Sequence, residues 1–187
     1  MKNRQHKQQI RIIGGTHRRR LVHFDEAEGL RPTPDRVREQ VFNWLGQRLN
    51  GQKVLDLFSG SGVMALEAAS RGAEKVDVVE LNRQTAQKIR SVIKELEFDQ
   101  VTVYQQDANA YLQAASEVYD VIVLDPPYRW QEWCGLWEAL RMHCHAETTL
   151  YIEAAELPQI PEWLQWSKQD SAGQSHYGLA LVQDTDL

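Results

Sequence analysis

The chain has 187 residues, 42% of them apolar and 25% charged, with a formal net charge of −5. That length suits one domain that buries a core without disulfides. Composition argues against three classes: no run reaches the roughly 18 apolar residues of a membrane span, the basic N-terminus lacks a signal's apolar stretch, and Cys134 and Cys144 are the only cysteines, which suits a reducing, cytoplasmic setting.

Mild acidity speaks against a nucleic-acid partner only as an average. The first 20 residues hold Lys2, Arg4, Lys7, Arg11, Arg18, Arg19 and Arg20 and no acid, which leaves 14 basic against 26 acidic residues over the rest. A positive arm on a negative body suits a polyanion. Residues 1–29 are therefore set apart as a basic arm, ahead of a main domain at 30–187.

Residues 1–9 are polar and expected to fray. Ile10 to Ile13 is predicted as a short strand, Gly14-Gly15 as a turn, and Thr16 to Phe24 as a returning strand that carries the three consecutive arginines. A helix then begins with Thr33 as N-cap, Pro34 in the first helical position and Asp35 at its positive end. Val37, Val41, Leu45 and Leu49 recur at helical spacing, and Gly51 ends it. Alternation follows: strands at 53–58, 76–80, 101–106, 119–124 and 149–154, with helices at 62–71, 83–97, 109–116 and 131–144. An antiparallel pair at 163–170 and 177–183 closes the chain. This pattern predicts an α/β fold with a mostly parallel seven-stranded sheet, helices on both faces, an antiparallel C-terminal strand and a small basic N-terminal hairpin.

In such sheets ligands bind beyond the carboxyl ends of the strands, near the switch in strand order. Four motifs lie there. Asp56-Leu-Phe-Ser-Gly60-Ser-Gly62 is a glycine turn opening a helix; Phe58 stands where a dinucleotide loop has its first glycine, no phosphate-loop lysine follows, and the leading acid suits a ligand with a positive group. Glu80 ends the next strand, where a carboxylate can accept both hydroxyls of a ribose. Asp107 ends the third and can accept from an amino group or cap a helix. Asp125-Pro126-Pro127-Tyr128 follows the apolar strand Val121–Leu124. Its prolines stiffen the backbone and remove two donors, which leaves a carboxylate and carbonyls to grip a planar exocyclic amine and an aromatic face on which a base can stack.

These motifs and their order resemble the amino-methylating S-adenosylmethionine (SAM)-dependent methyltransferases. Leu30-Arg-Pro-Thr-Pro-Asp-Arg-Val-Arg-Glu-Gln-Val-Phe-Asn-Trp-Leu45, the Asp56 loop and Glu67-Ala-Ala-Ser-Arg-Gly-Ala73 further resemble the RsmD family, whose members methylate the N2 amine of a guanine in 16S ribosomal RNA. The likeness runs from about Ile10 to Tyr128, with His176-Tyr-Gly178 similar to the family's closing strand. Two departures stand out: Arg19 replaces the inner glycine of the basic hairpin, and Val63-Met-Ala65 replaces a more usual Ala-Leu-Gly.

The resemblance implies a Rossmann-like domain and roles residue by residue. Asp56, Phe58, Ser59, Gly60 and Gly62 would cradle the methionine part of SAM, Glu80 would hold the ribose, Asp107 with Ala108 would contact the adenine, and Leu81 would also bind the cofactor. Thr33 and Arg36 would close over the methionine end. Asp125, Pro126, Pro127 and Tyr128 would hold the target base with its amine aimed at the sulfonium methyl. Arg11, Arg18, Arg19, Arg20 and Arg31 would grip RNA phosphates. The expected partner is 16S rRNA in a 30S subunit or assembly intermediate, met by a monomer, with no membrane and no metal. Met142-His143-Cys144-His145 holds ligand-like types, but neighbours on one helix cannot all face one ion. Trp133, Trp137, Leu140 and Cys144 fall on one face of the helix at 131–144, and the two tryptophans fit a buried stripe. The competing readings are an adenine-N6 methyltransferase on DNA or RNA, a SAM-binding ribosome-assembly factor, and an NAD-linked dehydrogenase, the last disfavoured by the glycine pattern.

Overall fold

Alternation along the strands divides the core in two. Successive strand residues face opposite sides of a sheet, so Val54, Val121 and Val123 join one apolar cluster while Leu55, Ile122 and Leu124 join the other. In a computed structural model that describes residues 7–25 and 33–183, the elements are β1 (Lys7–Arg11), β2 (Leu21–Asp25), α1 (Asp35–Trp44), β3 (Lys53–Asp56), α2 (Val63–Ser70), β4 (Lys75–Val79), α3 (Arg83–Glu95), β5 (Val101–Tyr104), α4 (Ala108–Ala114), β6 (Tyr119–Leu124), α5 (Trp133–Arg141), β7 (Cys144–Ala154), β8 (Leu164–Ala172) and β9 (Ser175–Val182). The first cluster packs α1, α2 and α3 on one face, and the second packs α4 and α5 on the other. Among the described residues no helix is long and apolar enough to cross a membrane.

The seven-stranded sheet has the order β5-β4-β3-β6-β7-β9-β8. β5, β4, β3, β6 and β7 pair in parallel, and β9, antiparallel to both β7 and β8, is the one strand that runs opposite to the other six. The chain steps outward from β3 to β5, then returns to place β6 on the other side of β3. That reversal opens the crevice beyond Asp56 and Leu124.

The hairpin differs from the predicted one. β1 and β2 pair antiparallel from Lys7↔Asp25 to Arg11↔Leu21, so Arg18, Arg19 and Arg20 lie in the long turn between the strands rather than on a strand. Turn hydrogen bonds from Arg19 N–H to the Ile12 carbonyl at 2.8 Å and from Arg20 N–H to the His17 carbonyl at 3.0 Å shape it. Arg19 holds φ at 73°, a left-handed conformation that costs a side-chain-bearing residue about 1–2 kcal/mol. This is the position at which the resembling family has glycine. Gly15 also lies at positive φ, and a Cβ there would collide with the Ser70 backbone.

Docking of the hairpin rests on a buried ionic cluster. Arg38 and Glu67 are both fully buried and meet at 2.6 Å, and Arg71 reaches the other Glu67 oxygen at 3.2 Å. Glu67 also accepts the backbone N–H groups of Ile13 at 2.6 Å and Gly14 at 3.2 Å. Arg38 spends its remaining donors on the Arg11 carbonyl, the Thr33 carbonyl and Asp35. Every charge has a partner, the condition under which buried ions are tolerated. Ile10, Ile12 and Val22 complete the attachment within the first core cluster.

Several boundaries move. α1 ends at Trp44 rather than near Gly51, because Gly46 and Gln47 turn left-handed at φ 92° and 64°; Leu49 is still buried, on the following loop. Pro34, not Thr33, holds the N-cap position of α1, and no side chain caps it. The helix predicted at 131–144 stops at Arg141, so Cys144 begins β7 instead of ending a helix stripe. His143 lies between the carbonyls of Glu117 and Leu112, and His145 pairs with Asp120 at 3.1 Å. Trp137 is core, whereas Trp133 packs at its margin.

Removing one partner from a buried ionic cluster strands the others. Glu67→Gln is expected to lower unfolding stability by about 3–5 kcal/mol, read as a shift in the urea midpoint. Glu74→Gln, at a solvent-facing site, is expected to change it by less than about 0.5 kcal/mol.

Candidate active site

Parallel pairing brings four carboxylates to one edge of the sheet. Asp56 ends β3, Glu80 follows β4, Asp125 follows β6, and Glu153 lies near the end of β7. Like charges in a sheltered place disfavour ionisation. Asp56 is buried, and burial pushes its carboxyl up to about 7, with Glu80 adding to the push and the Ala65 N–H opposing it. Burial also raises Glu80, against hydrogen bonds from the Asn82 and Gly60 N–H groups. Asp125 is driven well above the usual carboxylate range by burial first, then by Glu153 and Asp56. The edge is thus short of positive charge, and a cationic ligand would relieve it.

The loop between β3 and α2 forms the floor. Gly60 and Gly62 take positive φ, 50° and 73°, and Gly62 is the N-cap of α2 with no side-chain cap. A Cβ at Gly62 would press on Ile89 at 3.1 Å, so glycine is demanded by conformation and space together. The Ser59 hydroxyl is buried in this loop without a hydrogen-bond partner, a polar atom left for a ligand to satisfy. Phe58 meets Trp130 edge-on, with ring centroids 5.3 Å apart, which ties the glycine loop to the segment after Pro127.

The Asp125 loop is half-sheltered. Pro126 is buried and Pro127 exposed. The Pro127 carbonyl accepts the Trp130 N–H at 2.7 Å and so closes the turn. Tyr128 is 67% exposed, a free aromatic face at the mouth of the crevice.

Other predicted residues fall into two sets. Leu81 is 66% exposed beside Glu80, and Ala108 is buried at the start of α4. Asp107 caps that helix, with Oδ1 accepting from the N–H groups of Asn109 and Ala110. Thr33 is buried and donates its hydroxyl to Glu153 at 3.4 Å, across 120 residues. Arg36 is exposed and bears on Asp170 and Tyr177 rather than on the carboxylate edge. Arg11 lies near Asp35 at 3.9 Å, and Arg18, Arg19 and Arg20 are exposed. Arg31 lies outside the described residues. Glu153 was missed, although it ends an apolar strand, Leu150-Tyr-Ile-Glu153, as the other acids do. Trp130 was missed because only the fold sets it against Phe58.

A proton held by buried Asp56 has a consequence for stability. Between the ordinary carboxylate range and about pH 7 the folded chain keeps a proton that the unfolded chain has released, so stability falls as pH rises across that window. Native protein is expected to lose on the order of 3 kcal/mol more than Asp56→Asn between about pH 4.5 and pH 7.5, measured by urea unfolding without ligand.

Residues 10–181 match the model of the family described as Conserved hypothetical protein 95. "Ribosomal RNA small subunit methyltransferase D" of Escherichia coli K12 is 34% identical over 177 residues, which cover 91% of this chain and 89% of that protein. "Putative rRNA methyltransferase YlbH" of Bacillus subtilis is 32% identical over 173 residues, with coverage of 88% and 94%. A solved structure described as "Putative methyltransferase yhhF from Escherichia coli" superposes with a TM-score of 0.86 at 30% identity, covering 95% of this chain and all of that one. Glycine loop, Asp-Pro-Pro-Tyr turn and these full-length likenesses agree: the chain belongs to the ribosomal RNA small subunit methyltransferase D (RsmD) family, and it is a SAM-dependent methyltransferase.

Proposed function

We propose that the protein methylates the exocyclic N2 amine of a guanine in 16S ribosomal RNA, with SAM as methyl donor. The observation that carries this reading is the union, at one switch point, of a cofactor-type glycine loop with a rigid Asp125-Pro126-Pro127-Tyr128 turn. SAM supplies an electrophilic methyl on a positively charged sulfur. The residues present fit it: Asp56, Glu80 and Asp125 favour a cation, Gly60 and Gly62 let backbone approach it, and the unpartnered Ser59 hydroxyl offers it a hydrogen bond. Glu80 accepts the ribose hydroxyls, Asp107 with Ala108 contacts the adenine, and Leu81 adds a further contact to the cofactor.

A guanine amine is a weak nucleophile because its lone pair is delocalised into the ring. Asp125 and the Pro126 carbonyl accept the two amine hydrogens and hold the nitrogen in line, while Tyr128 stacks on the base. Such positioning can supply up to roughly 7–11 kcal/mol. Negative charge at Asp125 stabilises the nitrogen as it becomes positive. The base must be unpaired or turned out of its stack to enter.

The arm at 1–29 grips phosphates and the domain at 30–187 does the chemistry, acting as a monomer on a 30S subunit or assembly intermediate. Adenine-N6 methylation is the alternative, since the same turn can hold either amine.

Labelling with tritiated SAM, using ribosomal RNA and 30S particles from cells lacking this gene, is expected to yield N2-methylguanosine. Asp125→Ala is expected to abolish transfer while SAM still binds. Recovery of N6-methyladenosine, or near-normal transfer by the variant, would refute the assignment. Replacing Arg18, Arg19 and Arg20 with Ala is expected to weaken RNA binding and flatten its salt slope by about two. SAM affinity, followed by titration calorimetry, should not change.

A further inference from the structure

We propose that Glu153 is a positioning residue for methyl transfer: its charge, fixed beside Asp125, keeps Asp125 ready to take the proton that the methylated amine gives up. This rests on the amine-methylation reading above and assigns a second carboxylate to the same site.

The sheet sets the pair side by side. β6 and β7 are in parallel register with Leu124 opposite Ile152, so the next residues on each strand, Asp125 and Glu153, are neighbours at the open edge. Glu153 is buried, and both its oxygens are engaged. Oε2 accepts the Tyr151 hydroxyl at 2.7 Å and the Thr33 hydroxyl at 3.4 Å, and Oε1 accepts the Ser175 hydroxyl at 2.6 Å. All three donors are neutral. Hydroxyls from three separate segments thus hold Glu153 as an acceptor-only carboxylate without cancelling its charge.

That charge acts on Asp125. The groups facing Asp125 are Glu153 and Tyr151 from β7 and Asp56 from β3. Behind them, Glu80 faces Asp56 and Tyr177 of β9 faces Glu153. Among the described residues no cation faces Asp125. Burial, Glu153 and Asp56 all strengthen its hold on a proton, in that order.

The reaction needs such an acceptor. The amine nitrogen uses its lone pair to bond the methyl carbon as the carbon–sulfur pair stays with sulfur. The nitrogen is then cationic and bears two hydrogens. One leaves as a proton to an Asp125 oxygen, its bonding pair returns to nitrogen, and the neutral acid later yields the proton to water. The positive charge that began on sulfur is thereby matched by the negative charge lost from Asp125. A carboxylate with raised proton affinity suits this transfer better than an ordinary one.

The test is a pH profile of single-turnover methylation on 30S particles from cells lacking the gene. Rate falls as pH drops through the protonation of Asp125, which gives an acid limb. Glu153→Gln removes the charge and keeps the shape, so the limb is expected to move to lower pH by roughly one unit, with SAM affinity within about twofold of native. Glu153→Asp draws the charge back by one methylene, and its limb is expected between the two. Either variant alone, once shown to melt cooperatively, decides the matter. A limb that superimposes on native, or loss of rate at every pH with SAM binding intact, would overturn the role of Glu153. Asp125→Asn run in parallel separates the two levels: if it still methylates, the reading of Asp125 fails, whatever Glu153 does.

Discussion

One buried carboxylate organises the first third of the chain. Glu67 lies between Arg38 and Arg71 and also binds the backbone of Ile13 and Gly14. α1, α2 and the hairpin turn therefore meet at a single group that water cannot reach. Burying three charges is costly, and a well-packed apolar trio could match its stability. An apolar trio, however, would not specify direction. Guanidinium forks and carboxylate lone pairs accept only certain geometries, so the hairpin can dock in one way. Arg71 also lies over the Phe42 ring at 4.5 Å, which adds a contact suited to a sheltered cation.

From this cluster a continuous set of contacts runs to the open edge of the sheet. Arg38 binds the Thr33 carbonyl, and the Thr33 hydroxyl binds Glu153, the neighbour of Asp125. The group that fixes the basic turn also fixes the residue that touches the carboxylate edge. Arm and chemistry are thus referred to one rigid frame. That matters for methyl transfer, where a misplacement of about 1 Å between the reacting groups can cost on the order of a hundredfold in rate.

The carboxylate edge sets a cost against a use. Four acids at neighbouring strand ends destabilise one another, and the chain tolerates this because the sheet behind them is apolar and fully paired. Strain of this kind collects where chemistry is done. The unpartnered Ser59 hydroxyl and the left-handed Gly60 and Gly62 belong to the same pattern: local costs that the fold gathers at one strand end.

Strand–helix alternation was plain from residue order because local periodicity and glycine turns decide it. Tyr119 to Leu124 forms the strand predicted, and the acids at strand ends follow from the same rule. What depends on partners far along the chain was not legible. Thr33 has an ideal capping side chain, yet Pro34 takes the N-cap position and the Thr33 hydroxyl donates to Glu153 instead. Arg36 sits in a motif of the resembling family, yet α1 faces it toward Asp170. Cys144 fits a helical stripe by spacing, but the long β7 draws it into the sheet.

By itself, then, the sequence determined the layers of the fold, the place of the glycine loop and the rigid Asp-Pro-Pro-Tyr turn, because short-range periodicity, proline and glycine specify those without long-range help. Only the tertiary structure decided that Arg38, Glu67 and Arg71 share one buried cluster, that the three arginines crown a turn rather than line a strand, and that Glu153 stands beside Asp125. Each of these depends on register and on desolvation, which arise when segments far apart in the chain are packed together and water is removed between them.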